Sequence, residues 1–239
     1  MIGTFITRLG YMAIAMGLRL PKIQRLQVVD QQCRTIDAMK RYAINIVFDV
    51  GANRGFYAKH LRMLGYDGRI LSFEPDPETF KHLKEMASGD AKWQVFNCAL
   101  GESPGEMNFN VIHTGKETVL SSALEPLSDW AATTINVPVR TVEEVFQSEC
   151  KSDDARIFLK MDTQGYDLNV FKGAANLPSI SLLQSEVSVI PLYKNMPHYT
   201  EALLYYEGAG FELLGLFVVN RTPSGGILEY DALMGRHSS

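Results

Sequence analysis

Val47-Phe48-Asp49-Val50-Gly51-Ala52-Asn53-Arg54-Gly55 is the stretch whose reading decides the fold. Its first four residues close the run Ile44 to Val50, an almost unbroken series of β-branched and apolar side chains. That is the pattern of a strand buried on both faces of a parallel sheet. Gly51 and Gly55 let the chain turn sharply at the strand's end and predict bare backbone N–H groups facing a ligand at the start of the next helix. The same glycines would also serve simply to close a βα turn. The spacing is GxNxG and not the dinucleotide fingerprint GxGxxG, because Asn53 and Phe56 stand where the second and third glycines would be required.

Working outward, short apolar runs alternate with helical stretches. A helix is predicted over Phe56 to Leu64, a strand over Arg69 to Phe73, a helix over Pro77 to Met86 with proline in its first turn, and a strand over Trp93 to Asn97. Such alternation predicts βαβ crossovers and an α/β fold with a doubly wound, parallel sheet. Residues 101–127 break the rhythm with turn residues and a short strand at Met107 to Val111, and read as an excursion over the sheet. Beyond Val137 to Arg140 and a helix through Val145, the strand Ile157 to Met161 leads into Asp162. Tyr166 to Lys172 then forms a helix stopped at Gly173, and Ile180 to Val189 a long buried strand. A helix over Thr200 to Glu207 precedes strands at Phe211 to Val219 and Ile227 to Leu233, an antiparallel hairpin at one sheet edge.

Upstream, Leu26, Val29, Cys33, Ile36 and Met39 recur at threes and fours and mark a helix ending near Tyr42. The chain therefore divides into an N-terminal helical cap, 1–43, and one globular unit, 44–239. The run Thr4 to Leu20 is interrupted by Arg8, Gly10, Gly17 and Arg19, too often to span a bilayer. An amphipathic helix covering the domain or a partner subunit is the favoured reading over a membrane-surface helix or a secretory leader, and it leaves open a homodimer through the N-terminal helices.

The chain has 239 residues, 46% of them hydrophobic, with 23 basic against 27 acidic side chains and a net charge of −4. These values suit a single domain with a substantial core and exclude disordered and repeat classes. No lysine or arginine block supplies the footprint of a phosphate-backbone grip, so no nucleic-acid partner is expected. Cys33, Cys98 and Cys150 form no CxxC pair, which argues against a disulfide framework or zinc site and for a reducing, cytoplasmic location.

Glu74 ends the second predicted strand, 23 residues after Gly51, where a carboxylate can accept hydrogen bonds from both hydroxyls of a ribose. It would alternatively cap the Pro75-Asp76-Pro77 turn. Loop and acid together favour an adenosine-containing cofactor. At this point the chain resembles the class I S-adenosylmethionine-dependent methyltransferases, and more narrowly the FkbM family. The resemblance is carried by FDVGANRGFYAKHL, FEPDPETF, NCALGE, VPVRTVEEVF, LKMDTQGYDLNVFKGA and LQSEVSVIPLY. It implies a seven-stranded, mostly parallel Rossmann-like sheet with an antiparallel last strand, S-adenosyl-L-methionine across the strand C-termini, and methyl transfer to oxygen. It further implies that Asp49, Gly51, Asn53 and Gly55 hold the methionine end, Glu74 the ribose and the segment Asn97 to Ala99 the adenine edge. Cys98 departs from the aspartate that many class I enzymes carry before the alanine, leaving adenine to backbone groups.

Lys160-Met161-Asp162-Thr163-Gln164-Gly165 lies at the switch point where open sheets bind ligands. The Asn/Asp-Pro-Pro-aromatic stretch used to hold exocyclic amines of bases is not there, and with the oxygen transfer that the resemblance implies, a small-molecule or glycan hydroxyl is the expected acceptor. Asp162 would orient the cofactor's amino group or act as general base. A divalent metal shared with Glu186 is the less favoured alternative, as are a helix cap for Asp162 and a buried pair of Glu186 with Lys160 or Arg140. His198, in the loop after the fifth central strand, is the leading histidine candidate for the base, with His113 second. Tyr193 and Tyr199 would stack on the acceptor or pack the lid. An NAD-dependent oxidoreductase and a non-catalytic cofactor-binding scaffold are the alternatives from other classes.

Overall fold

A computed structural model describes residues 23–112, 120–174 and 177–236. The run Thr4 to Leu20 and His113 lie outside the described residues. Two units divide the chain, Met1–Thr35 and Ile36–Ser239. Helix α1 (Ile23–Arg41) runs through the division. In the first unit Asp30 and Arg34 form an exposed ion pair one helical turn apart, at 2.8 Å. In the second, Ala38 and Met39 of α1 are buried against Val47 and Phe158, so this end of the helix is part of the sheet's own core.

The second unit runs β1 (Ile46–Val50), α2 (Phe56–Met63), β2 (Arg69–Phe73), α3 (Pro77–Ala87), β3 (Trp93–Phe96), β4 (Ala99–Leu100), β5 (Gly105–Ile112), β6 (Ala132–Arg140), α4 (Val142–Val145), β7 (Ile157–Met161), α5 (Asp167–Lys172), β8 (Ile180–Ser188), α6 (Tyr199–Gly208), β9 (Phe211–Arg221) and β10 (Ile227–Arg236). A π-helical turn, Phe146–Cys150, follows α4. Seven strands form one sheet in the order β3-β2-β1-β7-β8-β10-β9. The first five are parallel, and β10 is antiparallel to both its neighbours.

Alternation along β1 explains why its sequence reads as a continuous apolar run. Ile46, Phe48 and Val50 enter one core with Leu71, Leu159 and the residues of α4, α5 and α6. Val47 enters the other core with Ile70, Phe158 and the residues of α2 and α3. Each large side chain so buried contributes about 1.5–3 kcal/mol. The helix ends are fixed locally. Asp76 caps α3 by accepting from the amides of Glu78 and Thr79 ahead of Pro77, and Thr141 and Glu144 form a reciprocal capping box on α4.

The segment read as an excursion carries more order than its turn residues suggest. β4, β6 and β5 make a second sheet, with Phe109, Val111, Val137 and Val139 packed on Ala99. Residues 120–130 then lie against the loop after β8: Leu127 N–H donates to the Leu192 carbonyl, Lys194 N–H to the Glu125 carbonyl, and the Tyr193 hydroxyl to the Leu120 carbonyl.

At the β1–α2 turn Gly51 adopts φ +73°, and a Cβ built there would stand 2.0 Å from the Asp162 carbonyl oxygen. Two backbone segments therefore pass where no side chain fits. Gly51→Ala is expected to lower unfolding stability by about 3 kcal/mol or more, read by chemical denaturation; a loss under about 1 kcal/mol would show that the two segments can separate freely.

Candidate active site

A cavity of about 730 Å³ opens along the C-terminal ends of the parallel strands. Its size is that of a cofactor-plus-substrate cleft. One end is walled by Phe73, Glu74, Cys98 and Ala99, the middle by Gly51, Lys160 and Asp162, and the far end by Gln164, Glu186, Asn220 and Glu229. With about 4.8 Å between neighbouring strands, the three steps from β2 to β8 place Glu74 and Glu186 roughly 14 Å apart across the sheet.

Glu74 is buried, and both its oxygens are engaged. Oε2 accepts from the Asn53 amide and Oε1 from the Asp76 amide, each at 2.9 Å. It thus closes the turn after β2 and ties that turn to the glycine loop, while each oxygen keeps a lone pair for a further donor. Burial, only partly offset by those two amides, pushes its carboxyl up to about 7. Asn97 does not line the cavity. Its amide donates to the Glu74 and Pro75 carbonyls at 2.9 and 3.1 Å and so anchors Glu74 from behind. Cys98 and Ala99 are on the wall, and burial pushes the Cys98 thiol up to about 11.

The glycine loop corrects one expectation. Its amides are not bare: Gly51 and Ala52 donate to the Phe73 carbonyl, Asn53 to Glu74, Arg54 to the Asn53 side chain and Gly55 to the Ala52 carbonyl. The glycines supply room and reach, and the uncapped donors belong to the first turn of α2, which Gly55 precedes with no side-chain cap. Gly55 itself faces Leu83 and Trp93, away from the cavity wall.

Asp49 is likewise not on the wall. Fully buried, it accepts from Ser72 Oγ at 3.1 Å, and Ser72 in turn accepts from the Trp93 indole at 2.9 Å. Lys160 Nζ sits 3.2 Å from Asp49 Oδ1 and 3.4 Å from Asp162 Oδ2, and 5.0 Å from the centroid of the Tyr57 ring. Burial works to depress the Lys160 ammonium, and the carboxylates of Asp162 and Asp49 outweigh it and hold the group above the ordinary lysine range. Sequence reasoning offered Lys160 only as a partner for Glu186. The register settles its true partner, since Asp49 and Lys160 are directly paired across β1 and β7.

Asp162 is half-exposed on the cavity floor and caps no helix; Tyr166 occupies that position for α5. Gln164, in the left-handed region at φ +53°, donates to Asp162 Oδ1 at 3.2 Å and to Glu186 Oε2 at 2.8 Å, while its carbonyl accepts from Ser122 Oγ. Strained backbone of this kind collects at functional sites. Asp167 accepts from Thr163, from Ser185 Oγ and from the Glu186 amide, fixing the two strand ends together. Glu186 pairs with neither Lys160 nor Arg140; Arg140 is 3.8 Å from Glu149.

His198 is not brought to the cavity. It is exposed at the cap of α6, its Nδ1 2.7 Å from Thr200 Oγ1 and its ring 4.5 Å from that of Tyr199. Tyr193 is fully buried beside Met196 and Tyr199 packs toward Tyr230, so both serve packing; neither lines the cavity, whereas Trp130 does. Among the described residues no group of three or more His, Cys, Asp or Glu side chains is placed to hold a metal ion, and no helix is long and apolar enough to cross a membrane.

A sheet in this order with a cleft at the switch point between β1 and β7, a glycine turn and an acid on the neighbouring strand defines a Rossmann-like methyltransferase fold. The methyltransferase FkbM domain matches residues 49–213, and the chain belongs to that family. It is a methyltransferase. Among solved structures it is similar to magnesium protoporphyrin IX methyltransferase from Synechocystis PCC 6803 with bound S-adenosylmethionine, at 8% identity and TM-score 0.51 over 90% of this chain and 81% of that one. A precorrin-6y C5,15-methyltransferase from Geobacter metallireducens GS-15 gives 11% identity and TM-score 0.47 over 87% of this chain and 89% of that one. A Burkholderia thailandensis 1,6-didemethyltoxoflavin-N1-methyltransferase gives 10% and 0.46 over 99% and 89%. No curated protein sequence matches the chain.

The pH dependence of stability follows from Glu74. Its folded-state value, about 7, lies above the ordinary 4.5, so folding favours the protonated form. The penalty is absent below about pH 4.5, grows as pH rises and is complete above about pH 7, where it reaches about 3 kcal/mol. Denaturation of the ligand-free protein at pH 5 and pH 8 should show this loss, and Glu74→Gln should flatten it; equal slopes in the two proteins would remove Glu74 from the account.

Proposed function

We propose that the protein transfers the methyl group of S-adenosyl-L-methionine to a hydroxyl of a small-molecule or carbohydrate acceptor. The observation that carries this reading is the continuity of one cavity from Glu74, past Gly51 and Asp162, to Glu186. The residues fit the cofactor: Glu74 has spare lone pairs for ribose hydroxyls, Cys98 and Ala99 offer an adenine edge, and Gly51 leaves the floor open beside Asp162, a carboxylate suited to an amino group. Asn53, at φ +49°, shapes the loop, and Asp49 and Asn97 act one layer back. When bound, the cofactor supplies an electrophilic methyl group.

The rest falls to this chain's own side chains. Asp162, held by Lys160 and Gln164, is placed to accept the hydrogen bond of an acceptor hydroxyl, and is the candidate for taking its proton. Holding the acceptor at attack distance and excluding water provide most of the acceleration. Oxygen as the target is supported by Asp162-Thr163-Gln164-Gly165, which supplies no proline-aromatic platform for a planar amine. The fold itself does not choose the atom. The reading includes a cytoplasmic location, supported by the free cysteines Cys33, Cys98 and Cys150.

Calorimetric titration with S-adenosylhomocysteine and with NAD tests the cofactor, and labelled methyl transfer to glycan, polyketide and peptide panels tests the reaction. Glu74→Ala should weaken S-adenosylhomocysteine binding at least about tenfold, and Asp162→Asn should lower turnover about 100-fold or more with a smaller effect on melting temperature. Unchanged affinity in the first variant or unchanged turnover in the second would overturn the respective assignment.

A further inference from the structure

We propose that the far end of the cavity is built for an acceptor carrying an ammonium group, an amino sugar or comparable amino alcohol, with Glu186 anchoring the cation. This rests on the reading of the cavity as a methyl-transfer site and narrows its substrate class.

Glu186, only 9% exposed, lines the cavity at the end of β8. Its Oε2 takes the Gln164 amide, and among the described residues no donor is bonded to its Oε1, which is left to the cavity. Every element packed against it brings acid. Asp231 stands directly opposite on β10, Glu229 of the same strand lines the cavity, and Asp162 and Asp167 close the group from the β7–α5 side. Glu229 is 2% exposed, and its oxygens accept from Ser188 Oγ at 3.4 Å and from the Asn220 amide at 2.7 Å, both neutral donors. Lys160, one strand away, is already set between Asp49 and Asp162. Burial first, then the charges of Asp162, Glu229, Asp231 and Asp167, hold the Glu186 carboxyl well above the usual carboxylate range.

Two buried carboxylates served only by neutral donors lack a counter-charge. An ammonium brings three N–H donors and one positive charge, and inside a cavity its bond to a carboxylate is of the strong, charge-assisted kind. Trp130, Leu192 and Leu228 give the same end apolar walls against which the C–H faces of a sugar ring can lie. An ammonium clamped by Glu186 has no lone pair to react, so the nucleophile left near Asp162, about 4.8 Å away by strand spacing, is a hydroxyl. The anchor therefore protects nitrogen while presenting oxygen.

The test is calorimetry on the protein saturated with S-adenosylhomocysteine, titrated separately with D-glucosamine, D-glucose, N-acetyl-D-glucosamine and magnesium chloride. Glucosamine should bind at least about tenfold more tightly than either neutral sugar, the worth of one charge-assisted hydrogen bond. Glu186→Gln, which keeps the shape of the side chain, should abolish that preference while retaining S-adenosylhomocysteine binding; Glu229→Gln should reduce it. Equal binding of the three sugars, no binding of glucosamine, a preference that survives in Glu186→Gln, or magnesium binding in place of glucosamine binding would each overturn the inference. Failure of the unmodified protein to bind S-adenosylhomocysteine would instead overturn the functional reading beneath it.

Discussion

The ammonium of Lys160, buried between Asp49 and Asp162, is the contact on which the rest of the site depends. It joins β1 to β7 at the switch point of the parallel strands, where the chain turns from building one half of the sheet to the other. Breaking such a pair from one side would leave a stranded charge, at a cost of about 3–5 kcal/mol. The arrangement is thus a fastener that also sets chemistry: Asp49 is spent wholly inside, and Asp162 is left half-exposed, facing the cleft with its orientation decided from behind. Trp93 and Ser72 extend the fastening to β2 and β3, so the floor of the cleft is hydrogen-bonded across four strands.

How far the sequence could be read follows from what each residue's neighbours are. The parallel sheet was legible because strands buried on both faces must be apolar at almost every position, as Ile46–Val50 and Ile157–Met161 are. The same rule held the clue to Asp49 and Lys160. A charged residue inside a fully buried strand needs a partner of opposite sign at the same level on the next strand, and the chain offers one of each. Assigning Asp49 to the ligand missed this because the motif was read along the chain, where the constraint runs across it. His198 failed for a related reason: a loop's position after a central strand says that it overhangs the cleft, whereas the direction of one side chain depends on the cap geometry of α6. Of the second sheet the strands at Met107 to Val111 and Val137 to Arg140 were legible, but not their pairing or full length, since the first half of β6 is exposed and carries little apolar signal.

The glycine loop shows that room and hydrogen-bonding capacity are separate properties. Tight turns use up their own amides, and here five consecutive N–H groups are satisfied within the protein. What Gly51 contributes is the absence of a Cβ beside the Asp162 carbonyl, which lets two strand ends converge closely enough for one molecule to touch both. Glu74 then has two duties on different lone pairs, holding the loop shut and facing the cleft. Its raised protonation value is the cost of keeping such a carboxylate dry before a ligand's hydroxyls reach it.

The far end of the cleft depends on a topological detail. All the parallel strands finish at this edge of the sheet, and an antiparallel strand is the kind that begins there. β10 is inserted between β8 and β9 in that sense, so Leu228 and Glu229, near its start, stand beside the last residues of β8. Side chains from the start of one strand and the end of another thereby meet at the same rim, and the register puts acid opposite acid, which would destabilise an ordinary sheet. A strand pair with free choice of residues would avoid that juxtaposition. Where the cavity wall passes, Glu186 and Glu229 bring that negative charge to the rim of the cleft.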